Sequence, residues 1–171
     1  MSLKERLFQR YMRQHSHSQS HFPHWEKVKS VCLLYQSSAG NSQDISACCD
    51  LLKKAGKQVQ IVRFVDAKQT DNQEGGVSVC RKDFNCFGRP SKSLLASLPG
   101  QTDLLIDLSE QPLLPLRYMA FCINADFKAG RKLSLSDEDG IHHLLIQTDN
   151  CGTLFVFQQI MHYLTTIHSN D

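Results

Sequence analysis

The chain has 171 residues, 41% hydrophobic and 21% charged, with a formal net charge of +2. That is enough to bury one sizeable core and is far from the composition of a disordered or fibrous chain. A balance so close to neutral, with a pI near 8.2, argues against nucleic acid as a partner, because that function calls for a pronounced basic surface.

The charge is uneven. Residues 1–29 hold Lys4, Arg6, Arg10, Arg13, Lys27 and Lys29 against only Glu5 and Glu26, which leaves the remainder net acidic. No apolar run approaches the roughly 20 residues needed to cross a bilayer, and the N-terminus lacks the apolar core of a signal peptide. The expected location is therefore cytoplasmic. The seven cysteines are odd in number, form no CxxC pair and sit mostly in apolar segments. They read as reduced structural thiols.

Residues 2–14 place Leu3, Leu7, Phe8, Tyr11 and Met12 at helical spacing, with the basic residues largely on other faces. This predicts a basic amphipathic helix. A polar, histidine-rich linker follows, so residues 1–27 are expected as an appendage and residues 28–171 as the main domain. Strands are predicted at 28–36, at 58–66, within 76–84, at 103–108, at 126–131 and at 141–148. Helices are predicted at about 42–55, 91–98, 113–124 and 151–168, the first ending at Gly56. The strand 103-DLLIDL-108 is apolar on both faces, as a strand covered by helices on each side must be. Alternating strands and helices predict a single-domain, Rossmann-like, doubly wound and mostly parallel α/β sheet of five to six strands, with an extra N-terminal helix.

In such a sheet, ligands bind beyond the carboxyl ends of the strands, where the strand order reverses. The rule selects four loops: QSSAGN, DAKQT, KDFNCFGRP and DLSEQP. Ser37 and Ser38 in the first stand where backbone amides and a helix start can hold an anion, although small residues also suit any tight turn. The third combines Lys82, Asp83, Asn85 and Arg89 with Phe84 and Phe87. It reads equally as a ligand loop or as a turn that seals the sheet edge. Asp107 ends a very apolar strand, so it needs a partner, with Lys82, Arg89 or Arg117 to choose from, or it faces the crevice. A structural pair is favoured over an acid/base role.

No metal site is expected. His15, His17, His21 and His24 lie in the linker without a supporting ligand framework, and His162 and His168 read as helix-surface residues. His142 and His143 are neighbours on a strand and should point to opposite faces. There is no GxSxG elbow, GxGxxG or Walker motif, and no cofactor can be assigned.

At 82-KDFNCFGRP-90, 103-DLLIDLS-109 and 124-NADFKAGR-131 the chain resembles a small family of uncharacterised bacterial α/β proteins, which implies a fold and no activity. The stretch from Asp103 to Arg131 also resembles the N-terminal Rossmann-like domain of heptosyltransferase-type glycosyltransferases. Those enzymes hold their donor mainly in a second domain, so no catalytic residue carries over and a complete transferase is not expected.

Three functional classes follow. The leading one is a non-catalytic binding or interaction module that uses the strand-end crevice, with an anionic small molecule or a protein as partner. The second is a small transferase or hydrolase acting on a phosphorylated or nucleotide-containing molecule, in which Lys82 and Arg89 hold anionic oxygens and Asp83 or Asp107 serves as acid/base. In the third, residues 2–14 contact a membrane surface or a partner, against the favoured alternative that this helix packs on the protein's own body.

Overall fold

The computed structural model describes residues 2–15, 22–38, 40–65, 75–133, 140–150 and 152–167. His17, His21, the loop DAKQT, Cys151 and His168 lie outside them.

Among the described residues, six strands form one sheet: β1 (Ser30–Gln36), β2 (Gln58–Phe64), β3 (Val77–Val79), β4 (Thr102–Asp107), β5 (Ala125–Arg131) and β6 (Leu144–Ile146). Their order is β3-β2-β1-β4-β5-β6 and every pairing is parallel. The order reverses between β1 and β4, as expected of a doubly wound sheet. Five α-helices accompany them among the described residues: α1 (Leu3–Gln14), α2 (Ser42–Lys54), α3 (Lys92–Ser97), α4 (Leu114–Cys122) and α5 (Thr153–Thr166).

The apolar strand runs are explained by burial on both faces. Leu33, Tyr35, Leu104, Ile106 and Phe127 pack with Cys48 and Leu52 of α2 and with Phe157 and Ile160 of α5. Alternate residues Cys32, Leu34, Leu105 and Val62 pack on the other face with Phe8 of α1 and with Leu116, Tyr118 and Met119 of α4. Two cores thus share one sheet. Asp107, Lys128 and Gly130 belong to the α4 side.

α1 starts in a capping box between Ser2 and Glu5. It docks on α4: Phe8 is fully buried, with its ring 4.4 Å from that of Tyr118 and 6.4 Å from that of Phe121. Met12 is buried as well, whereas Leu3 remains 67% exposed. The later part of the linker is also held. Phe22 packs edge-on to Phe127, and the Lys57 ammonium donates to the carbonyls of Trp25 and Val28 while lying 4.3 Å from the Trp25 ring centroid. Among the described residues, no helix is long and apolar enough to cross a membrane.

Candidate functional site

β4 carries an apolar run inward and delivers one carboxylate at its end. Asp107 is only 7% exposed, yet both of its oxygens are satisfied. Oδ1 accepts from the Ser109 amide at 3.0 Å and from the Ser109 hydroxyl at 2.5 Å. Oδ2 accepts from Nε2 of His142 at 3.0 Å. A carboxylate has no proton to donate in this pair, so the hydrogen of the bond sits on Nε2, and in the neutral ring Nδ1 carries the lone pair. Among the described residues, Nδ1 has no hydrogen-bond partner.

Gly130 makes this arrangement sterically feasible. It stands opposite Asp107 in the β4–β5 register. A methyl group built there would lie 2.9 Å from two atoms of the His142 ring and 3.3 Å from Cβ of Asp107. The imidazole therefore occupies the space left by the missing side chain.

These residues line a cleft between the ends of β4 and β5 and the start of α4. Arg117, Arg131, Leu116 and Ile141 line it with Asp107, Ser109 and His142. The cleft spans about 430 Å³ including open solvent, of which about 30 Å³ can hold the centre of a water-sized body. Cys32, beneath Asp107, is fully buried, and burial pushes its thiol up to about 12, with the Asp107 charge acting in the same direction. A thiol held protonated in this way is inert.

The Asp107 partners are thus Ser109 and His142, not Lys82 or Arg89. Arg117, the third partner considered, lines the same cleft. His142 and His143 do point apart: Nδ1 of His143 accepts from the Lys128 amide, and its ring lies 5.2 Å from that of Phe127. Burial lowers the His143 pKa, with the neighbouring Lys128 charge adding to the effect. Lys128 is buried and donates to the carbonyls of Ala120 and Phe121 at the end of α4.

The other sequence-selected residues lie elsewhere. The reversal point between β1 and β4 is filled by Asn41, whose amide donates to the Gln36 carbonyl and to Glu110. Glu110 in turn accepts from Thr153 of α5. The Ser37 amide donates to the Phe64 carbonyl and the Ser38 amide to the Asn41 side chain, so both serve the turn.

Loop 82–90 folds on itself. The Asp83 carboxylate accepts from the Cys80 amide, and the Asn85 side chain accepts from the amides of Phe87 and Arg89. Gly88, at φ +82°, sits against Leu114 and Tyr118. The Arg89 guanidinium lies 5.2 Å from the Tyr11 ring centroid, which ties the loop to α1. Lys82 is exposed. None of the four lines the Asp107 cleft. Among the described residues, no three His, Cys, Asp or Glu side chains group to hold a metal.

The sequence model of the DUF6913 family matches residues 2–167. The chain belongs to this family of unknown function. The DUF6913 match runs from the start of α1 to the end of α5, so the helix docked by Phe8 lies within the family's span. No curated protein and no solved structure is significantly similar to the chain.

His142 is the site residue that sequence reasoning missed. The strand-end rule selected the loop DLSEQP, whose Asp107, Ser109, Gln111 and Pro112 line the cleft, but it did not reach across β5 to His142. A small residue at the end of β5, facing a carboxylate at the end of β4, is the signal that leads to it.

Proposed function

We propose that this protein binds a small anionic molecule, one bearing a phosphate or a carboxylate, in the cleft at the ends of β4 and β5. His142 serves there as the reactive base nitrogen. The observation carrying this reading is the hydrogen-bonded Asp107–His142 pair in one cleft with Arg117 and Arg131. A carboxylate that fixes one ring nitrogen of a histidine leaves the other as a directed base, as in acid/base and nucleophilic sites. Arg117, whose guanidinium lies 5.2 Å from the Phe8 ring centroid, and Arg131 line the same cleft, and a guanidinium is a planar, charge-assisted partner that suits phosphate and carboxylate oxygens.

The reading keeps the strand-end crevice expected of this fold and adds a reactive group to it, which favours a small enzyme over a purely structural module. The test is thermal stabilisation and calorimetric titration with inorganic phosphate, phenyl phosphate and acetate. The wild-type chain is expected to be stabilised by at least one of them, and the Arg117→Gln/Arg131→Gln double variant to lose that ligand-induced shift. Equal shifts in the two proteins would remove the cleft from consideration.

A further inference from the structure

We infer that the ligand class is a phosphoryl donor and that Nδ1 of His142 is a phosphoryl acceptor. The inference rests on the anion-binding reading above and specifies its chemistry. Three features of the cleft support it.

The nucleophile is oriented. Nε2 is held by Asp107, and Asp107 is itself fixed through its other oxygen by the amide and hydroxyl of Ser109. The ring is also backed by the Gly130 main chain, with no room for a methyl group between them. A ring held at one nitrogen and along one edge presents its remaining lone pair in one direction.

The other lining groups do not compete. Ser109 is 5% exposed and its hydroxyl is already donated to Asp107, whose own oxygens are both occupied. Gln111, Arg117 and Arg131 carry no nucleophilic lone pair. Among the described residues, no cysteine lines the cleft.

The charge fits. Arg117 and Arg131 would neutralise the equatorial oxygens of a transferring phosphoryl group, which is where charge is spread in such a transfer.

In the step itself, the Nδ1 lone pair attacks phosphorus of a phosphoanhydride, acyl phosphate or phosphoramidate. The N–P bond forms as the bond from phosphorus to the leaving group breaks, and the leaving group departs with that electron pair. The hydrogen on Nε2 stays in its bond to Asp107, which stabilises the positive charge on the ring. No oxidant or reductant is required.

The experiment uses the full-length wild-type chain with acetyl phosphate and, separately, phosphoramidate, followed by peptide mapping at alkaline pH. His15 and His162, both exposed, serve as internal references, so the result does not depend on whether a variant folds. The expected result is an acid-labile, base-stable phosphoryl group on His142, formed faster than on either reference. In Asp107→Asn it should form on the order of a hundredfold more slowly, because a freed ring loses its alignment. Labelling of His15 and His162 with none on His142, while inorganic phosphate still stabilises the protein, would overturn the acceptor role and leave the anion site standing. Absence of both labelling and phosphate stabilisation would overturn both readings.

Discussion

Gly130 faces Asp107 across the β4–β5 pair, and the ring of His142 reaches the carboxylate through the space above that glycine. The relationship is steric rather than conformational, since Gly130 does not have a positive φ. Gly130→Ala is accordingly a clean probe: its backbone is allowed, and its methyl group collides with the imidazole. Overpacking of this kind costs about 1–3 kcal/mol. Urea denaturation should show that loss, and the His142 ring signals should move to those of a solvent-exposed histidine.

The docking of α1 is equally specific. Phe8→Ala empties a fully buried site between Tyr118 and Phe121 and should cost about 3–5 kcal/mol. Leu3→Ala, at a residue 67% exposed, should change stability by no more than about 0.5 kcal/mol. Equal effects in equilibrium unfolding would mean that α1 does not pack on α4 through Phe8.

Lys128 gives a pH signature. Burial lowers its pKa from 10.5 to about 8. Below about pH 8 both the folded and the unfolded chain hold the proton, and the fold carries the full cost of a buried charge. Between about 8 and 10.5 the folded form releases its proton while the unfolded form keeps it. Stability from this group therefore rises with pH across that window, by about 3 kcal/mol in all. Urea denaturation of wild type and Lys128→Met at several pH values isolates the contribution, because other alkaline titrations cancel in the difference. The gap should shift in favour of wild type as pH climbs from 8 to 10, and a constant gap would contradict the assignment.

Much of the architecture was legible because burial on both faces writes itself into sequence. The runs VCLLY and LLI are apolar on both faces, so they predict strands covered by helices, and α5 shows its apolar stripe at helical spacing. Asp107 stood out for the same reason, as a charge in an apolar strand. Its partner did not. His142 lies 35 residues further along the chain, and only the β4–β5–β6 order brings the two together, a relationship of register rather than of motif. Loop 82–90 misled in the opposite sense. Its polar groups look available for a ligand, but Asp83 and Asn85 satisfy the loop's own amides, and Arg89 lies over Tyr11.

The reversal point offers a spatial control. Asn41→Ala removes the acceptor of the Ser38 amide and the donor to the Gln36 carbonyl, at a cost of about 1–3 kcal/mol. Phosphate-induced stabilisation should survive this change, because the proposed cleft lies between β4 and β5. Loss of that stabilisation in a folded Asn41→Ala protein would move the site to the β1–β4 crevice.

The central claim is that Asp107 fixes His142 as a directed base in an anion-binding cleft. Long-range proton–nitrogen NMR of the imidazole, recorded during titration with inorganic phosphate, tests it most directly. The account predicts a ring protonated at Nε2 and bare at Nδ1, with the His142 signals shifting as phosphate is added. A ring protonated at Nδ1 alone, or phosphate leaving the His142 signals unmoved, would contradict it.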